Sequence, residues 1–275
     1  MITGNTTLIA HIGFPTHTFK SPMIYNPYFD QAGVDAVVVP MACRADDYPG
    51  FVRELFTLQN LGGALITMPH KVTTVGLADE VTPTAMIAGA ANALRRREDG
   101  SLLADMFDGS GFVRGVERKG RALAGASALV VGNGGVGSAI AASLAAAGIR
   151  RMGLFDAYDA SSQGLAERLR HHYPELTVTT GSADPAGYDV VVNATPLGME
   201  AGDPLPFDVD RLQPKTFVGE VVLKEAMTPM LRAASAKGCA YQIGLDMLFE
   251  QIPAYLEFFG FPTTTPERLR GVAAI

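Results

Sequence analysis

The sequence predicts an α/β fold built as two domains, on three observations. Strand-like and helix-like patterns alternate through the first hundred residues. The pattern restarts near residue 127 with a strand, a glycine turn and a helix, and 275 residues are enough for about two domains. A composition of 48% hydrophobic and 18% charged residues is that of an ordinary globular chain.

Taken in order, Thr7–Gly13 (TLIAHIG) reads as a strand, followed by the loop Gly13–Asn26 and a helix from about Ser21 to Gly33. VDAVVVPMA is an apolar, β-branched strand of the kind covered on both faces. Asp47–Gln59 has apolar residues at helical spacing, with Pro49 early in the helix. LGGALITM is the next strand and ends at Pro69; Ala91–Asp108 then reads as two short strands joined by a turn at Asp99–Gly100. Beyond the restart, YDVVVNATPLG and TFVGEVVL are two later strands. The tail, Asp246–Gly260, has helical spacing with an early break or kink expected at Pro253. The first domain is placed at about 1–108 and the second at about 109–238.

Several functions are disfavoured at once. A net charge of −6, with no basic block beyond Arg95–Arg97, argues against a nucleic-acid partner. The first residues show neither a basic n-region nor a cleavage pattern, and the small-apolar run Ser138–Gly148 falls short of the roughly 20 residues of a membrane span. Cys43 and Cys239 match no metal spacing, and the five histidines show no HxxxH or HxH pattern. No metal and a cytoplasmic location are expected.

Gly132, Gly134 and Gly137 stand in GxGxxG spacing between a strand and a helix. The first suits a tight turn, the second lets a pyrophosphate approach, and the third lets helix and sheet pack closely. With Gly135 and Val136 they predict a Rossmann-type dinucleotide site at a helix N-terminus. Asp156 ends the next strand, where a carboxylate suits the adenosine ribose hydroxyls and repels a 2′-phosphate. Arg150 and Arg151 lie at the other end of that strand. NAD is therefore preferred over NADP, which stays possible. A hydride transfer also needs a proton-handling group: Lys71 lies just beyond a strand and Asp108 ends another, a plausible acid/base pair, while Asn92 lies in a small-residue segment that lets a ligand come close. Taken singly, each also reads as a surface charge or turn residue.

The full set resembles the shikimate dehydrogenase family. Its carriers are Gly13–Pro15, Ser21–Pro22, Asn26, Thr67–Lys71, Gly89–Asn92, Asp108–Gly109, Gly132–Gly137, Asn193–Met199, Thr228–Pro229 and Gln251. The resemblance implies a substrate domain, a dinucleotide domain, and an active site in the cleft. It implies reversible hydride transfer between a shikimate- or quinate-like cyclic hydroxy acid and its 3-dehydro ketone. Lys71 matches the catalytic lysine and Asp108 its paired carboxylate. Asn92 and Gln251 match residues that bind the ring hydroxyls, and Ser21 and Thr67 match part of the substrate anchor. Asn193, Thr195, Gly198 and Met199 would lie beside the nicotinamide. The family returns its C-terminal helix to the substrate domain, here from about 239 to 275.

The departures from the pattern lose polar groups. The usual SxSP is Phe19-Lys20-Ser21-Pro22, which puts Phe19 against the substrate; Asn-Val-Thr is Leu65-Ile66-Thr67; NTDG is Met106-Phe107-Asp108-Gly109; and a Tyr before the TP pair is Leu223. Glu220 stands where Asp is usual. Two lost hydrogen bonds to a charged group, at roughly 1.5–3 kcal/mol each, predict weaker shikimate binding by about two orders of magnitude or more. The same reaction with altered recognition is expected. The alternatives are a dehydrogenase for a different cyclic hydroxy acid and a non-catalytic dinucleotide-binding sensor. The oligomeric state is left open.

Overall fold

The computed structural model describes residues 2–275. The chain forms two compact units: residues up to Phe107 together with Ile252–Ile275, and Asp108–Gln251. Residues 239–251 thus pack with the second unit.

The first unit contains β1 (Thr7–Gly13), α1 (Pro22–Ala32), β2 (Ala36–Ala42), α2 (Tyr48–Leu55), β3 (Leu61–Ile66), α3 (Lys71–Val75), β4 (Glu80–Val81), α4 (Pro83–Ala88), β5 (Ala93–Arg96) and β6 (Leu102–Asp105). The sheet order is β2-β1-β3-β5-β6-β4. Only β5 runs against the others, through antiparallel pairings with β3 and β6. The C-terminal ends of β1, β3 and β6 therefore share one sheet end with the start of β5. Gly13, Thr67, Asn92 and Asp105 all sit there.

Local chemistry sets these elements. α1 starts at Pro22, whose fixed φ suits the first helical turn, and stops at Gly33 with φ +68°. Its buried stripe is Ile24, Tyr25, Tyr28 and Phe29. α2 ends four residues short of the sequence expectation. The Thr57 hydroxyl donates to the Glu54 carbonyl and the Gln59 amide donates to the Thr57 carbonyl, so side chains compete with the helical ladder.

The second unit contains α5 (Asp108–Arg118), β7 (Ser127–Val131), α6 (Gly135–Ala146), β8 (Arg151–Phe155), α7 (Asp159–His172), β9 (Thr177–Thr180), β10 (Val190–Asn193), β11 (Phe217–Glu220), α8 (Pro229–Ala236) and β12 (Tyr241–Gln242). Every ladder is parallel, in the order β12-β11-β10-β7-β8-β9. The order reverses at β7, so the glycine turn lies at the switch point, where ligands bind in such sheets. α9 (Gly244–Phe258) begins in this unit and ends in the first, followed by α10 (Pro266–Val272).

The expected break at Pro253 is corrected: α9 runs on through it. Packing outweighs the lost N–H, because Phe249, Ile252, Tyr255 and Leu256 are buried along the helix. The chain end is tied to α1: the Tyr28 hydroxyl donates to the Pro262 carbonyl at 2.9 Å, and the Ala274 N–H donates to the Met23 carbonyl at 2.8 Å.

Asn26 has a structural task. Its amide accepts from the Val38 N–H at 2.8 Å and donates to the Val38 carbonyl at 3.1 Å. β2 is an edge strand, and this pairing covers part of its open side. Replacing Asn26 by Leu leaves both Val38 groups without their partner. The expected loss is about 2 kcal/mol, at about 1 kcal/mol per bond, read as a lower denaturation midpoint at constant m-value.

Candidate active site

At the functional end of the first sheet, Asn92 is 1% exposed and is fastened on several sides. Its N–H donates to the Asp105 carbonyl, and its own carbonyl accepts from the Ile66 N–H and the Tyr255 hydroxyl. Its side-chain oxygen accepts from the Phe107 N–H at 2.9 Å. The Nδ2 donor alone is buried without a partner among the described residues. A buried donor left open in this way costs about 1–3 kcal/mol unless something outside the chain accepts from it.

The Thr67–Lys71 turn leaves β3 beside this residue. The Thr67 N–H donates to the Ile12 carbonyl, and the Lys71 carbonyl accepts from the Ala91 N–H, so the turn is tied to β1 and to the Gly89–Asn92 segment. His70 is buried, stacks on Tyr48 with centroids 4.0 Å apart, and its Nε2 pairs with the Cys43 carbonyl at 2.9 Å. Lys71 opens α3, half-buried.

The opening loop stands on the same sheet end. Ser21 precedes α1 without capping it through its hydroxyl. Phe19 is half-buried and stacks on His11, with centroids 4.0 Å apart and 25° between the planes. His11 is a residue the sequence reading passed over. Its signal was a histidine within the apolar run Leu8–Ile12. Burial, and secondarily the Lys71 ammonium, lower its pKa from 6.5 to about 3. Its imidazole is therefore neutral at neutral pH.

In the second unit, the glycine turn shows its physical reasons. Gly132 has φ +91°, and an added Cβ there would strike the Ala194–Thr195 backbone. A Cβ at Gly137 would strike the Gly132 carbonyl, whereas one at Gly134 would meet nothing within 4 Å. Space at Gly134 is thus not consumed by the protein, which fits a phosphate approaching the start of α6. Gly135 and Val136 form the first turn of that helix.

Asp156 closes the far side of the turn. Its carboxylate accepts from the Asn133 N–H at 2.6 Å and the Tyr158 N–H at 2.9 Å. Asn133 is itself anchored, with its side-chain oxygen accepting from the Ser162 hydroxyl and its carbonyl from the Ser138 hydroxyl. Arg151 donates to the Gly187 carbonyl and lies over Tyr188.

Asn193 organises the segment after β10. Its side-chain oxygen accepts from the Thr195 N–H and hydroxyl, while its Nδ2 donates to the Leu197 carbonyl and to Glu220. Gly198 has φ +100°, and its N–H donates to Asp203, a residue the sequence reading did not single out. The Met199 N–H closes the turn onto the Pro196 carbonyl. Asp108 opens α5 and is 4% exposed; Gln251 lies on α9 with a buried Oε1 that has no partner among the described residues.

The family model for the shikimate dehydrogenase substrate binding domain matches residues 11–94. A shikimate dehydrogenase (NADP(+)) from Rubrobacter xylanophilus is 37% identical over 254 residues, covering 91% of this chain and 89% of that one. The chain belongs to the shikimate dehydrogenase family. It is an NAD(P)-dependent oxidoreductase acting on CH–OH groups. Among solved structures, shikimate 5-dehydrogenase from Listeria monocytogenes, in complex with shikimate and NAD, superposes with a TM-score of 0.90 at 25% identity, covering 98% of this chain and 97% of that one. Quinate dehydrogenase from Corynebacterium glutamicum, in complex with NAD, gives 0.87 at 29% identity, covering 97% and 98%.

Phe107, where the family pattern has Thr, is half-buried. Its ring meets Tyr255 and Phe258 edge-on, with centroids at 4.7 and 5.5 Å. Leu65 is buried in β3, and Leu223 is half-exposed. Among the described residues no group of three or more His, Cys, Asp or Glu could hold a metal, and no helix is long and apolar enough to cross a membrane. Both cysteines are free and buried.

Glu220, the longer acid in place of Asp, is fully buried and accepts from the Val221 and Val222 N–H groups, the Thr228 hydroxyl and the Asn193 amide. Burial pushes its carboxyl above the usual 4.5, with these donors pulling back. The stability from its titration is complete below the unfolded value and is lost as pH rises through the raised folded value. Glu220→Gln removes that titration. The melting-temperature advantage of the wild type over this variant should shrink as pH rises above the usual carboxylate range; a constant difference would show ordinary titration.

Proposed function

We propose that this chain catalyses reversible hydride transfer between a shikimate- or quinate-like hydroxylated ring and its 3-dehydro ketone, with weakened recognition of the substrate carboxylate. The buried, unpartnered Nδ2 of Asn92 carries this reading. It is a donor held open at the sheet end where Thr67, Lys71 and the opening loop meet, and a ring hydroxyl is a fitting acceptor.

The open space at Gly134 and the close packing at Gly137 fit a dinucleotide, which when bound supplies a nicotinamide that exchanges hydride. The chain's own residues handle the rest. Lys71 takes the hydroxyl proton as the alcohol is oxidised and returns it on reduction, with Asp108 as its paired acid/base. Asn92 and Gln251 hold ring hydroxyls, Ser21 and Thr67 anchor the far side of the ring, and Phe19 gives that side an apolar wall. Gly132, Gly134, Gly135, Val136 and Gly137 receive the pyrophosphate, with Asn193, Thr195, Gly198 and Met199 along the nicotinamide. Steady-state rates with shikimate, quinate and other cyclic polyols test the reading. Lys71→Met should lower kcat by about 10²–10⁴-fold while dinucleotide binding persists. Unchanged turnover would overturn the assignment.

NAD preference belongs to the same proposal. Asp156 directly follows β8 with its carboxylate held beside the glycine turn, and the segment Asp156–Ser162 holds no arginine to receive a 2′-phosphate. The Rubrobacter relative is named for NADP(+), whereas the Listeria and Corynebacterium structures hold NAD. The expected kcat/KM for NAD exceeds that for NADP about tenfold or more, and Asp156→Ser narrows the ratio. An NADP preference in the wild type would remove this part of the reading.

A further inference from the structure

Two of the departures from the family pattern converge on one side chain. In the β1–β3 ladder His11 is the register partner of Leu65, the position where the family usually has Asn. Neighbouring register partners in a sheet present their side chains to the same face. Phe19, at the position of the first SxSP hydroxyl, stacks on the His11 ring. Of the three positions His11, Leu65 and Phe19, the polar group is thus on β1. His11 is 7% exposed, and its Nδ1 is buried with no hydrogen-bond partner among the described residues.

We propose that His11 is a substrate-recognition residue, and that the ring substituent it meets is an uncharged hydroxyl in place of a carboxylate. This deepens the dehydrogenase reading above and rests on it. A buried carboxylate requires several donors or a countercharge. Phe19 and Leu65 supply no donor, and a neutral imidazole offers one N–H and one acceptor nitrogen. Its open Nδ1 can form one neutral hydrogen bond with a hydroxyl, which either donates or accepts to suit the tautomer, and one such bond does not satisfy a carboxylate. The stacked Phe19 ring holds the imidazole plane, and its apolar face suits a substrate end without charge. The low pKa of His11, set mainly by burial and next by Lys71, keeps the ring uncharged at neutral pH.

The test compares shikimate with its analogue in which the carboxylate is reduced to hydroxymethyl, using the full chain and NAD. The wild type should show kcat/KM at least about tenfold higher for the hydroxymethyl compound. His11→Val should lower that value about tenfold or more, mainly through KM, with His11→Gln recovering part of it. Phe19→Ser combined with Leu65→Asn should shift the ratio about tenfold or more toward the acid. Thermal melts and NADH binding of each variant separate these effects from misfolding. A wild-type preference for the acid, or an unchanged ratio in His11→Val, overturns the proposal. Absence of turnover with both compounds counts against the dehydrogenase reading. The ¹⁵N resonance of the His11 imidazole then decides this proposal: a shift with the hydroxymethyl compound and none with the acid sustains it, and no shift with either overturns it.

Discussion

Asn92 links three strands and a helix through one residue. Its peptide closes the β3–β5 and β5–β6 ladders, its carbonyl takes the Tyr255 hydroxyl of α9, and its side-chain oxygen fixes the start of the Phe107 peptide. Asp108 is the next residue in the chain, so the backbone that leads to the proposed acid is set by the amide of the proposed hydroxyl ligand. The Lys71 carbonyl is held by Ala91, one residue before Asn92. A displacement of this single side chain would therefore reach both groups proposed for proton handling. That coupling explains why the neighbouring positions are small: Ala90 and Ala91 are fully buried and leave no room for movement.

The second unit repeats the device with different atoms. Asn133 and Asn193 each follow or end a parallel strand at the switch-point end, and each spends its side chain on backbone or neighbouring polar groups. Asp156 likewise gives two of its lone pairs to N–H groups. Loops at this end therefore do not depend on a ligand to hold their shape, and a bound dinucleotide would meet a preorganised surface. Glu220 shows the cost: a fully buried acid with four donors around it, whose carboxyl burial still raises above the usual range.

The sequence was most informative where one residue type has one physical use. The glycine spacing at Gly132–Gly137, the Pro22 helix start and the Asp99–Gly100 hairpin all correspond to observed geometry, because φ and steric limits act locally. It was least informative where packing decides. α9 passes through Pro253 because its apolar side chains are buried on both sides of that residue. α7 was not anticipated, although Ser162, Leu165, Ala166 and Leu169 form a helical stripe; most of its other residues are polar and blur the periodicity. The short α3 and α4 fall below the length at which periodicity can be read. Lys71 could be picked as lying just beyond a strand and Asn92 as lying in a small-residue segment, but the ties of this region through Ile12, Ala91 and Asp105 run through backbone atoms and leave no mark in the side-chain pattern.

His11 shows how a departure should be weighed. A chain selected only for a stable sheet would fill this position with Val or Leu, since the flanking register partners are Pro40 and Leu65 and the ring above is Phe19. An imidazole here instead leaves a buried nitrogen without a hydrogen bond, at about 1–3 kcal/mol. Phe19 stacking returns about 0.5–1.5 kcal/mol, and that would be gained equally by an aromatic ring carrying no polar atom. Packing alone therefore does not account for the histidine. The remaining explanation is a partner outside the chain, and the lost Asn and Ser of the family pattern mark the end of the substrate where it would lie. Loss of polar groups at Phe19 and Leu65 and gain of one at His11 are then one change, in which an uncharged imidazole stands in for two lost donors beside the retained Ser21 and Thr67.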